Sequence, residues 1–106
     1  MKVYIGSVPA PNNWRVDVHD LSKDTTSPLR HHVMHSPDGF GWGYLGSAST
    51  ELARCILIDA TGAEPLRSTV LRFRNDVVSM LDKDRGFRLS ENAVLTWYRN
   101  HAEPEE

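Results

Sequence analysis

Apolar and polar residues alternate near the N-terminus, and the period changes further along. In KVYIGS, Val3 and Ile5 fall on one face, and in WRVDVHD so do Trp14, Val16 and Val18. A period of two predicts a pair of half-buried strands. The VPAPNN between them carries Pro9, Pro11, Asn12 and Asn13, which restrict the backbone or tolerate tight turns. An antiparallel pair with a longish connection is therefore expected. SKDTTSP reads as a polar loop and LRHHVMH as a short third strand.

From residue 47 the spacing is helical. SASTELARCILIDATG offers Ser47 or Ser49 as N-cap, Glu51 in its first turns and Gly62 as a stop. Leu52, Ala53, Cys55, Ile56, Leu57, Ile58 and Ala60 cover most of its circumference, which predicts a central buried helix. Pro65 suits the first turn of a second helix reaching Leu81, with Leu66, Val70, Phe73, Val77 and Leu81 on its apolar stripe. After DKDRGF breaks the chain, Ser90 caps a third helix, and Leu89 is placed to pack on Val94 as a hydrophobic staple. The expected class is α+β, a small antiparallel sheet of two to three strands in the N-terminal half packed against about three helices. The 106 residues suit one domain, with a frayed acidic tail over 102–106.

Composition narrows the function classes. A net charge of -2 is too mild for a nucleic-acid binder driven by bulk charge, and equally for an acidic DNA mimic. One cysteine, Cys55, leaves no CxxC pair and no internal disulfide, so a reducing, cytoplasmic compartment is expected and the thiol is read as packed. The N-terminal residues lack a signal-like apolar stretch, and no segment approaches the roughly 18 apolar residues of a membrane span.

GWGYLG, residues 41–46, spells the dinucleotide pattern G-x-G-x-x-G. That fingerprint needs a strand before the glycines, a helix after them and an acid about 20 residues on, at the end of a second strand. Here HSPDGF, a turn signature, precedes Gly41, and a helix end and start occupy the place of the second strand. A Walker loop lacks its Lys. The expected role of Gly39, Gly41, Gly43 and Gly46 is to bend the chain while Phe40, Trp42, Tyr44 and Leu45 pack or make contacts.

The run HSPDGFGWGYLGSASTELARCILIDATG, with LRFRNDVVSML and RLSENAVLTWY after it, resembles an uncharacterised domain family of bacterial chromosomes, plasmids and phages. The family pattern joins an HSP-x-GF-x-WGY-x-GS loop to an Ala- and Leu-rich helix ending in D-x-TG. It matches His35, Ser36, Pro37, Gly39, Phe40, Trp42, Gly43, Tyr44, Gly46, Ser47, Asp59, Thr61 and Gly62. AST stands where the pattern opens the helix with a small residue and Pro. The resemblance implies a fold and a mobile-element setting, and no activity.

Other chemistry is sparse. HHVMH places His31 and His35 on one face of a strand and His32 on the other, so a shared metal would need an irregular turn; no metal site is expected. Ser36 beside His35 and Asp38 lacks the spacing of a hydrolase triad, and no G-x-S-x-G elbow is present. Asp59 is either a perturbed acid on a buried helix or a side chain that reaches solvent or backbone at its end. Arg67, Arg72, Arg74, Lys83, Arg85 and Arg88 cluster but are interrupted by Asp76, Asp82 and Asp84, which reads as a salt-bridged, solvated face. Trp97 and Tyr98 are further interface candidates, and Trp14 is read as core.

With no catalytic or cofactor signature, the expected function is a small non-enzymatic protein-binding module, its contacts Phe40, Trp42, Tyr44, Arg67, Arg72 and Arg74. Inhibition of a host defence complex, an anti-CRISPR role, is its specific form. The alternative is a phosphate-ligand or nucleic-acid module using the glycine loop and the arginines.

Overall fold

The computed structural model describes residues 1–11 and 13–102; the acidic tail from 103 onward lies outside the described residues. Among the described residues the fold is α+β, with four antiparallel strands in place of the two or three expected, and three helices. Strands β1 (Lys2–Ala10), β2 (Asn13–Asp20) and β3 (Thr25–Pro28) are followed by α1 (Ser47–Thr61) and α2 (Arg67–Asp76), then by β4 (Phe87–Ser90) and α3 (Glu91–His101). The strand order is β3-β2-β1-β4.

The register fixes which side of the sheet meets the helices. Tyr4 stands opposite Val18 and Leu89, and Gly6 opposite Val16 and Phe87, so these residues share the inner face. Val3 and Ile5 do share a face, as the alternation requires, but it is the outer one, opposite His19, Asp17 and Arg88. The inner position belongs to Tyr4, which is fully buried. Gly6 leaves room for the Phe87 ring, which a Cβ there would overlap at 2.2 Å. One core unites Tyr4, Val16 and Val18 of the sheet with Leu52 and Ile56 of α1, Phe73 of α2 and Val94 of α3.

The third strand is not where the alternation of LRHHVMH placed it. Residues 25–28 of the supposed polar loop pair with β2, all four exposed, and the chain then runs irregularly from Leu29 to Gly46. An edge strand packed by neither face needs no apolar alternation, and its four residues ending in Pro28 offer little for a further strand to pair with. Leu29, buried, continues the pairing for one bond by donating its N–H to the Val16 carbonyl at 3.0 Å.

Of the helices, α1 ends at Gly62 as expected, but neither Ser47 nor Ser49 caps its start, since both lie within the helix. Gly46 is its N-cap, making no side-chain bond, and Gly62 closes it with φ of 77° and an N–H to the Ile58 carbonyl. The second helix is shorter than the span to Leu81. Val77 turns to φ -122°, ψ -61°, a single 3-10 turn follows over Val78–Met80, and Val78 takes the buried place given to Val77. Ser90 caps α3 as expected, its Oγ accepting the Ala93 N–H at 3.0 Å.

A polar clasp joins the sheet to two helices. Asp59, near the end of α1, accepts from the Tyr4 hydroxyl and from Lys2 Nζ, each at 2.8 Å, and Glu91 accepts the Lys2 N–H at 3.1 Å. Burial holds the Tyr4 phenol protonated well above its usual range, and Asp59 adds to this by accepting its hydrogen bond. Tyr4→Phe is expected to lower stability by about 1–2 kcal/mol, since it leaves a carboxylate short of one donor. Urea denaturation checks this; a loss within error would mean that water replaces the hydroxyl at no cost.

Candidate functional site

The irregular segment 29–46 crosses from the sheet edge to α1, and a charged residue inside the core holds it. Glu51, on the second turn of α1, is 0% exposed. Its Oε1 accepts the N–H groups of Met34 at 3.2 Å and His35 at 3.1 Å. Its Oε2 accepts Met34 N–H at 3.0 Å, Ser36 N–H at 3.1 Å and His31 Nε2 at 2.9 Å. An ionised carboxylate only accepts, so His31 Nε2 carries the hydrogen. Consecutive N–H groups converging on one anion form a nest. Burial alone would push the Glu51 carboxyl up, but the Met34 amide, the His31 imidazole and the Ser36 and His35 amides outweigh it and bring the group down to about 2.

The same helix face continues the grip. Residues three and four positions on from Glu51 lie beside it on a helix. Arg54 donates to the His32 carbonyl at 2.7 Å, and the Cys55 thiol accepts the His32 N–H at 3.4 Å. Arg54 reaches Glu64 with its other nitrogens at 2.7 and 2.9 Å, tying in the connection to α2. Cys55 is buried, which pushes its thiol pKa up and keeps it protonated. With its backbone held from below, the segment turns Val33 and Met34 outward, 62% and 58% exposed.

The glycine loop follows. Trp42, placed by the sequence in the contact surface, is instead 0% exposed. It lies 4.7 Å from the Trp14 ring and 5.0 Å from Phe87, and its indole N–H reaches the Asp82 carbonyl at 2.9 Å. A large apolar ring with one satisfied donor is more stable in the core than in water. Gly41 and Gly46 lie under the Tyr44 ring, and Gly43, at φ 81°, passes so close to Lys83 that a Cβ would meet it at 2.4 Å. Two of the loop amides are already used, Gly41 N–H by the Ala48 carbonyl and Gly43 N–H by the Val78 carbonyl. The spacing G-x-G-x-x-G therefore serves a folded-over tyrosine and a close backbone crossing, with the Gly41 and Gly43 amides already bonded within the fold.

The remaining expected contacts separate. Phe40 is half-buried beside His31, with ring centres 4.8 Å apart, and Tyr44 is 41% exposed. Arg72 faces Asp76 at 3.7 Å, Arg74 bonds Thr50 Oγ1 at 3.0 Å, and Arg67 stands exposed at the start of α2. The three arginines thus do not share one site. Arg54 and Arg67 line a pocket of about 180 Å³ together with Met34, Val70 and Leu71. Trp97 packs on Phe73 and bonds Asp76 at 3.2 Å, so it ties α3 to α2. His31 serves Glu51, and among the described residues no three His, Cys, Asp or Glu side chains gather as a metal site. Among them, too, no helix is long and apolar enough to cross a membrane.

Sequence reasoning missed Glu51 as the organiser. Its signal was present in ELARC, where a charge shares a helix face with core residues and so needs a buried partner set. A family model described as a family of unknown function (DUF6166) matches residues 10–100. No curated protein and no solved structure matches.

Proposed function

We propose that this chain, which belongs to that family of unknown function, is a small non-enzymatic protein-binding module whose contact surface is the 31–46 segment. The observation that carries this reading is a rigid backbone presenting apolar side chains to water. Glu51 fixes residues 31–36 from inside, while Val33, Met34, Tyr44 and Leu45 stand 62%, 58%, 41% and 64% exposed. A loop already ordered before binding loses little further entropy in a complex, so such contacts convert more fully into affinity. Exposed apolar residues on a fixed frame are also what recognition surfaces share.

Its specific form, inhibition of a host defence complex by steric or allosteric block, extends the resemblance to plasmid- and phage-borne chains and uses the same surface. The alternative, a phosphate or nucleic-acid module, draws less support, because the loop amides at Gly41 and Gly43 are spent and Arg72 and Arg74 are engaged elsewhere.

The test is capture from source-cell lysate at low and high salt, with the tagged chain and with a Val33→Ser, Met34→Ser double variant. A stoichiometric protein partner that resists salt is expected, and its retention should fall about tenfold or more in the variant with the thermal transition unchanged. Equal retention by both proteins would move the contact surface elsewhere. Recovery of nucleic acid alone, lost at high salt, would favour the alternative.

A further inference from the structure

We propose that the groove between the start of β2 and the 36–44 loop binds a cationic side chain, a guanidinium or a methylated ammonium group, presented by a peptide. The groove measures about 410 Å³, and Trp14, Phe40, Tyr44, Ser36 and Asp38 line it. The Trp14 and Tyr44 rings stand 6.2 Å apart at 83°, two walls of a corner. Aromatic faces carry negative potential, so walls of this kind attract an organic cation that a purely aliphatic groove would not.

Each wall is braced from behind. Trp14 rests on Trp42 at 4.7 Å, Phe40 on His31 at 4.8 Å, and Tyr44 on Gly41 and Gly46. The corner is therefore formed before any ligand arrives.

The charge balance selects the ligand. Asp38 is exposed and is the one carboxylate among the residues lining the groove, and no basic side chain lines it. Arg15, next to Trp14 in the chain, points to the opposite face of β2 and pairs with Asp17 at 2.9 Å. Among the described residues, no cation of this chain thus lines the corner. A bare ammonium is strongly hydrated, whereas guanidinium and methylated ammonium shed water more readily and spread their charge over a surface that aromatic walls can cover. A peptide as the source rests on the reading of this chain as a protein-binding module, while the cation site itself does not.

The experiment is an NMR titration of the full chain with N-acetyl-arginine N-methylamide, N-acetyl-trimethyllysine N-methylamide and the uncharged N-acetyl-norleucine N-methylamide. At least one cationic probe is expected to give saturable shifts at the Trp14 indole and the Gly39 amide, with norleucine binding about fivefold or more weakly. Asp38→Asn, at an exposed position, should weaken the cationic probes about threefold or more and leave norleucine unchanged. Norleucine binding as well as the cations overturns the proposal, as does the absence of saturable shifts with either cation or indifference to Asp38→Asn. Failure of the lysate capture with a positive titration would remove the module reading and leave the cation site standing.

Discussion

Glu51→Ala is expected to cost about 3–5 kcal/mol of unfolding free energy, enough to leave this domain barely folded. The carboxylate takes hydrogen bonds from the Met34, His35 and Ser36 amides and from His31. Removing it strands all four donors around the space of a fully buried side chain, and each orphaned amide carries its own desolvation cost. Glu51→Gln keeps the shape and one acceptor but turns an NH2 toward amides that also donate, so it should fall between wild type and Ala. The wild-type protein should report the same contact through pH. The folded carboxyl sits at about 2 against an ordinary 4.5, so its contribution is complete above about pH 4.5 and is lost as the pH falls toward 2. That difference amounts to about 3 kcal/mol. Urea titrations from pH 2 to 7 should show this slope in wild type and a much flatter one in Glu51→Gln. Hydrogen exchange at the amides of residues 34–36 supplies the local check. Ala tolerated at a cost under about 1 kcal/mol, with those amides still protected, would mean that something other than Glu51 holds the segment.

Trp42→Ala is expected to lower stability by about 3–5 kcal/mol and the melting temperature by about 15 °C or more. Trp42 heads the fully buried side chains by volume and bridges Trp14 of β2, Phe87 of β4 and the Asp82 carbonyl. Its removal opens a cavity where sheet, loop and the 82–86 turn meet, and none of these rigid neighbours can collapse into it. Trp42→Phe should cost less, about 1–2 kcal/mol, because the ring face survives and only volume and one hydrogen bond are lost. If Trp42→Ala instead left the melt unchanged and only weakened binding of a partner, the ring would belong to the surface after all.

The parts of this fold that could be read from the chain are those where burial is periodic and the neighbours are near in sequence. The β1–β2 pair, the apolar girth of α1 and the Ser90 cap each leave a local signature. β3 leaves none, because the exposed TTSP has no face to pattern. β4 was hidden for another reason: FRLS pairs with residues 3–6, so its strand state is set by a partner some 80 positions away. The end of α2 was misplaced because Val77 and Val78 are equally apolar and only the backbone turn decides which one is buried. At the site, the aromatic and glycine residues announced a built loop, but their alternation could not say that Trp42 faces in and Tyr44 out. For Glu51 the chain shows that a charge shares a core-facing helix side, but not what pairs with it, since most of its partners are backbone amides, which carry no sequence mark.

Because β4 pairs with β1 across some 80 positions of the chain, the sheet cannot be completed until residues 87–90 have been made. A nascent chain that has made only its first 80 residues holds β1 with one edge bare and with Gly6 and Tyr4 uncovered by Phe87 and Leu89. Such an edge invites pairing with another copy. The stretch from Phe87 to Ser90 thus acts as a latch, and truncation or stalling before Phe87 should send the product to chaperones or aggregates, with no half-stable remnant persisting.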